Sequence, residues 1–158
     1  MICVAIIAIM LSFALPRLAP LQETEGRRVL TEFSTVLQTA RSAAVRAGEA
    51  VRICPTGEAE ECGNDWRDGV VLLFERDDSS RRVIARHIWD GLQGTLSWRA
   101  FGNRQYLIVD RYGLLDHQNG TLLWCGPTGS EQEAASLVIN AAGRSRLVSD
   151  TVDTRCQR

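Results

Sequence analysis

Lysine is absent from this sequence, and histidine and tyrosine occur only twice each. All 18 basic residues are therefore arginine, and 19 acidic residues bring the formal net charge to -1. A chain so close to neutral has no general attraction for nucleic acid, so binding of that kind would need a local basic patch. With 45% hydrophobic and 23% charged residues, the composition fits one ordinary globular domain with a short appendage.

The chain also lacks an apolar run long enough to cross a membrane. The run from 2 to 15 offers roughly 14 residues before Pro16, whereas a membrane-spanning helix needs about 20. Because the run begins beside Met1, we expect it to be incomplete at its start. A cleaved signal peptide is the alternative, but no basic residues precede the run.

Four of the five cysteines lie in the polar part of the chain, and none of them has C-x-x-C spacing. An even set of this kind favours disulfides over zinc ligation, and hence an oxidising compartment. The alternative is four reduced, buried thiols in a cytosolic protein. Pairing by nearness in sequence joins Cys54 to Cys62 and Cys125 to Cys156, which would stabilise the fold by roughly 2.5 and 3.7 kcal/mol.

Apolar residues recur at intervals of three and four up to Ala47, which predicts an amphipathic helix that stops at Gly48. This helix is expected to continue from the N-terminal run, with Pro16, Pro20 and Gly26 as points where it can kink. Its apolar face gives a domain a surface on which to pack.

After Gly48 the pattern changes to short runs rich in Val, Ile, Leu and aromatic residues, separated by turn residues. These runs predict antiparallel strands at 50–54, 69–75, 82–88, 95–101, 105–110, 120–125, 135–140 and 146–149. The pair Asn119–Gly120 predicts a hairpin turn between 114–115 and 121–124. The four tryptophans are expected to pack in the core or on a sheet.

Several segments carry a resemblance to a known family when their order and spacing are taken together. They are 14–17 (ALPR), 37–46 (LQTARSAAVR), 51–54 (VRIC), 66–70 (WRDGV), 120–125 (GTLLWC) and 137–146 (LVINAAGRSR). The chain resembles the type IV pilin-like proteins of the GspH/FimT pseudopilin family over nearly its whole length.

The resemblance implies an α+β, type IV pilin-like fold, in which a long N-terminal helix packs its outer half on antiparallel β-sheets. The expected division is a transmembrane part at 1–21, an amphipathic helix at 22–48 and an antiparallel β domain with a C-terminal tail at 49–158. The implied location is the inner membrane of a Gram-negative bacterium, crossed once, with the globular domain in the periplasm. The candidate helix face for assembly with other pilins or pseudopilins is Val29, Phe33, Leu37 and Ala40.

The family's N-terminal processing signals are absent ahead of Met1. They are a basic leader, the Gly before the prepilin peptidase cut, the aromatic residue that becomes methylated and a nearby glutamate. We therefore expect a start codon assigned too far downstream, or a fragment, and prepilin peptidase would act only on an upstream leader. The positive-inside rule for membrane proteins leads to the same expectation. The C-terminal side of the apolar run carries Arg17, Arg27 and Arg28, which would keep that side in the cytoplasm unless more basic residues preceded the run.

No pattern for enzyme chemistry stands out. His87 and His117 fall in a predicted strand and a loop without a neighbouring motif of known mechanism, so we expect no catalytic residue, no metal and no cofactor. The acidic runs at 58–61 and 77–78 lack EF-hand spacing and are expected to be solvated loops. A secreted hydrolase behind a signal peptide is a further alternative, and it would require a mature N-terminus at Ala14 or later.

One basic patch supports a sharper hypothesis. Arg144 and Arg146 follow Gly143 and would point to the same side of an extended chain, while Arg155 and Arg158 lie on the tail that Cys156 could fold back. Four guanidinium groups could hold phosphates without reading base sequence. In FimT-like members, such a tail is associated with DNA binding during natural transformation; the alternative is an ordinary solvent-facing strand edge. Two functions follow: a structural subunit at a filament tip, and a DNA-binding module there.

Overall fold

The computed structural model describes residues 25–58, 61–75, 82–116, 118–127, 134–149 and 156. Within them lie one α-helix, eight strands and two short 3-10 helices. Their bounds are α1 (Glu25–Ala47), β1 (Val51–Pro55), β2 (Val70–Phe74), β3 (Arg82–His87), β4 (Thr95–Ala100), β5 (Leu107–Val109), β6 (Gly120–Cys125), β7 (Ala134–Ile139) and β8 (Ser145–Ser149), with 3-10 turns at Trp66–Asp68 and Phe101–Asn103. The expected α+β fold, one helix on antiparallel sheets, is confirmed.

The predicted membrane anchor at 1–21 lies outside the described residues, as do His117, Arg155 and Arg158. In the part of the chain that the structure does describe, no helix has the length and apolar character needed to span a bilayer.

The strands form two four-stranded antiparallel sheets, and α1 packs against both of them. Sheet 1 has the order β3-β2-β1-β5, and sheet 2 has the order β4-β6-β7-β8. One continuous core lies between the helix and the two sheets, and it includes Phe33 and Leu37 of α1, Ile53 of β1 and Leu122 of β6. All four tryptophans are buried in this core, as predicted.

The burial of α1 corrects one expectation from the sequence. The candidate assembly face, Val29, Phe33, Leu37 and Ala40, is fully buried inside the subunit. These side chains cannot offer a surface to a neighbouring subunit, because the two sheets of the same chain already cover them. Periodicity located the apolar side of the helix, but it could not tell which molecule covers that side.

The start of α1 is fixed to sheet 2 by a carboxylate and a glycine. Glu25 Oε1 accepts hydrogen bonds from the backbone N–H groups of Gln93 (2.8 Å) and Gly94 (3.1 Å) and from Trp124 Nε1 (3.3 Å). Gly26 is buried directly against the Trp124 ring, with no room for a Cβ. The helix therefore leaves the domain at a position set by one ring and one carboxylate.

A disulfide lies on the outer face of each sheet. Cys54 is bonded to Cys62 (S–S 2.02 Å), and this loop covers Val71 and Leu73 of sheet 1. Cys125 is bonded to Cys156 (S–S 1.97 Å), which lies on Leu123 and Ala134 of sheet 2. The pairing is the sequence-local one, and each bridge lets a small apolar cluster form on a face that α1 does not reach.

The outer face of sheet 1 also carries an ion pair. Arg52 donates two hydrogen bonds to the Glu75 carboxylate, at 2.6 and 2.7 Å, and its guanidinium lies 4.1 Å from the Tyr106 ring centroid. The hydrogen bonding to Glu75 raises the pKa of Arg52 above its ordinary value.

The hairpin predicted at Asn119–Gly120 is wrong. Gly120 is the first residue of β6 and pairs with Ala100 of β4 and Ile139 of β7. The chain turns earlier, after β5, where Val109 forms a bridge with Leu115. The strand predicted at 120–125 is confirmed, but its partners are β4 and β7 and not residues 114–115, so the Asn–Gly pair does not form the tight turn that such pairs favour.

Two turns with the same hydrogen bonds lie at the end of the domain where α1 finishes. They are Asp110–Leu114 and Asn140–Arg144, called the twin turns below. In each, the N–H of the fifth residue donates to the side-chain Oδ1 of the first (2.9 Å in both). The N–H of the first residue donates to the carbonyl of the fifth, and the fourth is a glycine with φ of 79° or 72°. A positive φ of this size favours glycine, so the Asx and Gly residues define the turn.

A single side chain of α1 holds the twin turns together. Arg41 Nε donates to the carbonyl of Gly113 (2.8 Å), and Arg41 Nη1 donates to the carbonyl of Gly143 (3.2 Å). The turns also bond each other directly, from the N–H of Leu115 to the carbonyl of Ala141 (3.0 Å). Arg41 thereby joins the helix, the end of sheet 1 and the start of the last strand of sheet 2.

Gly26→Ala is expected to destabilise the protein, against the usual trend for helices. Alanine in a helix is ordinarily favoured over glycine by about 1 kcal/mol. Here the added methyl would overlap the Trp124 ring, and the repacking is expected to lower the free energy of unfolding by about 1–3 kcal/mol. Urea unfolding followed by far-UV circular dichroism measures the change. Ser42→Ala on the exposed side of α1 is the control, and a stabilised Gly26→Ala protein would contradict the packing described.

Arg41→Met is expected to lower the free energy of unfolding by about 1–3 kcal/mol, because two charge-assisted hydrogen bonds to turn carbonyls are lost. Arg99→Met removes an exposed strand arginine and is expected to change stability by less than about 0.5 kcal/mol. Equal effects of the two substitutions in urea unfolding would show that the two hydrogen bonds from Arg41 to the turn carbonyls contribute nothing to stability.

Candidate functional site

The twin turns present the most prominent exposed surface at the end of α1. The first turn carries Tyr112, which is 74% exposed, and the Arg111 guanidinium lies 5.7 Å from the Tyr112 ring centroid. A groove of about 490 Å³ runs between this turn and the last turns of the helix. Its lining consists of Gln38, Arg41, Ser42, Val45, Arg46, Tyr112 and Gly113. The site therefore combines an aromatic ring, an apolar side chain and several guanidinium groups.

The second turn places the predicted basic pair at the start of β8. Arg144 closes the turn, and Arg146 pairs with Val138 of β7. Both arginine side chains are exposed. Ser145 Oγ lies 2.9 Å from Ser34 Oγ of α1, and Leu147 packs on the core. Because side chains alternate along a strand and Ser145 and Leu147 face the helix and core, Arg146 faces away from the helix.

Arg146 belongs to a row that crosses the outer face of sheet 2. The strand registers align Arg99 of β4, Thr121 of β6, Val138 of β7 and Arg146 of β8. The two arginines are exposed and stand at the two ends of the row, about 14 Å apart at the usual strand spacing. This row is electropositive and contains no acidic residue.

The remaining two candidate arginines, Arg155 and Arg158, lie outside the described residues. Their neighbour Cys156 is fixed to Cys125, which pairs with Ala134 at the opposite end of β7 from the second twin turn. Arg144 and Arg146 thus lie close together in the described part of the chain. Cys156 is attached at the opposite end of the same sheet.

The exposed side of α1 is polar but uncharged over its middle turns. Thr31, Thr35 and Thr39 follow one another at intervals of four residues, and each hydroxyl donates to the carbonyl four residues earlier, at 2.8, 3.3 and 3.0 Å. Between Phe33 and Ala40 the helix carries no charged residue. With their hydroxyl donors satisfied inside the helix, these threonines can be covered by another protein at little desolvation cost.

His87 takes part in packing and in a hydrogen bond nearer the start of the helix. Its Nε2 lies 3.2 Å from Glu32 Oε2, and its ring meets the edge of Trp89 at 4.8 Å between centroids. Glu32 also pairs with Arg28 at 3.0 Å. Across the described ranges, no three His, Cys, Asp or Glu side chains are grouped as metal ligands.

Arg41, Asp110 and Asn140 organise this surface, and the sequence reading did not single them out. A repeated spacing could have revealed two of them: Asp110 stands three residues before Gly113, and Asn140 stands three residues before Gly143. Asx residues favour such turns, and glycine favours the positive φ that closes them. Nothing in the local sequence marks Arg41, because its partners lie 72 and 102 residues further along the chain.

Comparison with solved structures finds proteins of similar fold, among them a type IV minor pilin and a minor pseudopilin. The type IV minor pilin FimU of Pseudomonas aeruginosa superposes with a TM-score of 0.63 and 23% sequence identity, over 78% of this chain and 88% of FimU. The minor pseudopilin EpsH from the Type 2 Secretion System of Vibrio cholerae gives a TM-score of 0.59 and 13% identity, over 78% of this chain and 96% of EpsH. At these identities the likeness concerns the fold.

Comparison with curated proteins finds no match. A family model does match: that of the Type II transport protein GspH aligns with residues 30–143, a stretch that contains most of α1, seven of the eight strands described here and both glycines of the twin turns. The aligned stretch is well over half of the chain, and the chain belongs to the GspH family.

Proposed function

We propose that the protein is a minor pilin or pseudopilin, a subunit that assembles with other pilins in a type IV pilus or a type II secretion pseudopilus. The observation that carries this proposal is the family match over residues 30–143. FimU is a type IV minor pilin and EpsH is a minor pseudopilin, so relatives of this fold serve in both machines. The role is structural: the subunit acts in assembly, priming or capping of the filament and carries out no reaction.

The two faces of α1 support this role. One face is buried in the subunit's own core, as the full burial of Phe33 and Leu37 indicates. The opposite face is exposed at Thr35 and carries no charged helix residue between Phe33 and Ala40, and small side chains there would allow the helix of a neighbour to approach closely. We propose that assembly uses this outer face in place of the buried stripe.

The N-terminal residues would supply the membrane connection. Residues 1–21 are proposed to form the end of an anchor in the inner membrane, upstream of the helix start at Glu25. The two disulfides fit a domain that folds in the oxidising periplasm.

The double variant Thr31→Glu with Thr35→Glu is expected to reduce incorporation into sheared filaments by more than about tenfold, because assembly would bury unpaired charges. Immunoblotting of the filament fraction and of the membrane fraction measures this ratio. Both positions are exposed, so the two disulfides and the unfolding midpoint should stay nearly unchanged.

Arg104→Glu, in an exposed loop, is the matched control and should leave incorporation near normal. A protein absent from filaments even without substitution, or a double variant that assembles normally, would contradict the proposal. A charged substitution at Phe33 is a poor test of assembly, because a charge at that buried position would unfold the domain.

A second candidate function is DNA binding at the filament tip. The observation that favours it is the exposure of Arg144 and Arg146 at the start of β8, together with exposed Arg99, which the strand register aligns with Arg146 across the outer face of sheet 2. Such a row could contact phosphates without reading sequence.

Arg144→Gln with Arg146→Gln is expected to weaken binding to duplex DNA and to reduce the slope of log affinity against log salt by about two. Filament assembly should not change. Fluorescence anisotropy with labelled duplex DNA at several salt concentrations measures both quantities, and Arg104→Gln is the control. Unchanged affinity and slope in the double variant would exclude this patch as the DNA contact.

A further inference from the structure

The charged residues of α1 are mostly basic. Its arginines are Arg27, Arg28, Arg41 and Arg46, and its glutamates are Glu25 and Glu32. Four positive and two negative side chains give the helix a net charge of +2. Both glutamates have partners inside the subunit, since Glu25 binds sheet 2 and Glu32 pairs with Arg28. A neighbour that packs along this helix therefore meets a basic element.

The groove beside the first twin turn continues the exposed face of α1 to the end of the helix. With about 100° between successive residues, Thr31, Thr35, Gln38 and Ser42 lie within about 60° of one another around the helix axis. The two threonines are exposed on the middle turns, and Gln38 and Ser42 line the groove. A helix that packs along the threonines would therefore also pass over the groove.

The centre of the groove is apolar and has a fixed backbone. Val45 is 56% exposed and Tyr112 is 74% exposed, and both line the groove. The turn that carries Tyr112 is held by the Asp110 carboxylate and by Arg41, so little backbone freedom would be lost when a partner binds. An exposed tyrosine beside arginine is typical of the energetically important centre of a protein interface.

Inside the groove, a partner meets only positive charges. Arg41 and Arg46 are part of the lining, and Arg111 lies beside the tyrosine ring. The acidic residues nearby in the sequence are Glu49, Asp110 and Asp116, and none of them lines the groove. The Asp110 Oδ1 atom already accepts two backbone N–H groups of its own turn. The groove therefore favours a partner that brings carboxylates.

A second copy of this chain is a poor partner for the same face. Its α1 would bring a helix of net charge +2 against Arg46 and Arg111, and like charges brought together in an interface disfavour binding. A contact that rejects copies of the same chain also suits a subunit that occurs in few copies. Specificity of this kind comes from repulsion of the wrong partner as well as attraction of the right one.

We propose that the exposed face of α1, together with the groove at its end, binds the helix of a different pilin-like subunit whose contacting side carries an apolar side chain flanked by carboxylates. The apolar side chain enters the groove between Val45 and Tyr112, and the carboxylates face Arg46 and Arg111. The inference rests on the proposed function, because it names the chemistry of the neighbour that the assembly face accepts.

A protein helix suits this face better than DNA does. The hydroxyls of Thr31 and Thr35 already donate to helix carbonyls, so they offer no free donor to a phosphate. The centre of the groove is formed by Val45 and Tyr112, and a phosphate backbone would leave the valine unpartnered. An apolar side chain flanked by carboxylates satisfies both the centre and the arginines around it.

The test uses the full chain in the cell that produces it, with a benzophenone amino acid in place of Tyr112. Two differently tagged copies are expressed together, and filaments are irradiated and then sheared off. We expect an adduct that carries only one tag. Mass spectrometry should map the cross-link to the helix of a different pilin-like polypeptide, within one helical turn of an Asp or Glu. The same cross-linker in place of Arg99, on the outer face of sheet 2, is the control and should not give this adduct.

Charge reversal supplies the second measurement. Arg46→Glu with Arg111→Glu should lower the yield of the adduct by about tenfold, and arginine in place of the mapped carboxylates of the partner should restore it. Arg99→Glu with Arg104→Glu changes the net charge of the chain equally and should leave the yield near normal. All four arginines are exposed, and formation of both disulfides in each variant verifies folding.

The outcomes separate this inference from the proposed function. A protein that never enters the filament fraction contradicts both. A protein that enters filaments overturns the inference alone if residue 112 gives a double-tagged adduct, an adduct with DNA or with a protein that is not pilin-like, or no adduct. An adduct that lies far from any carboxylate of the partner, or whose yield ignores the charge reversal, overturns it as well.

Discussion

The Arg41 guanidinium is the interaction on which the arrangement of this domain depends. It extends from the helix and donates to the carbonyl of Gly113, which follows sheet 1, and to that of Gly143, which precedes the last strand of sheet 2. One side chain thereby fixes three layers at one end. At the other end, the Glu25 carboxylate and the Trp124 ring fix the same helix to sheet 2. Between these two attachment points, close packing of buried apolar side chains holds the helix against the sheets.

The outer faces of the two sheets are stabilised by disulfide-bonded segments and not by the helix. The helix covers only the inner faces, so apolar residues such as Leu73 and Leu123 would otherwise be exposed. Each is covered by a segment tied to the sheet through a disulfide, Cys54–Cys62 on sheet 1 and Cys125–Cys156 on sheet 2. In a domain of this size, covalent closure of short segments adds stability that the single core does not supply.

These constraints leave particular surfaces free for assembly. The apolar face of the helix is buried in the core, so the contacts proposed with other subunits would use other surfaces, such as the exposed threonine face of the helix. The twin turns hold Tyr112 exposed on a fixed backbone at one end of the domain, and Ile88 is exposed at the other. A subunit built in this way has polarity along its helix axis, which suits a filament.

The sequence alone determined the elements that local pattern controls. The 3.6-residue periodicity located α1 and its end at Gly48, the short apolar runs located the strands, and the count and spacing of cysteines paired Cys54 with Cys62. Tertiary structure decided everything that depends on distant partners. The strand that begins at Gly120 pairs with β4 and β7 instead of forming a hairpin with the residues just before it, and the Phe33 stripe became core because two sheets cover it. Arg41 acquired its role from carbonyls that only the folded chain brings within hydrogen-bonding distance.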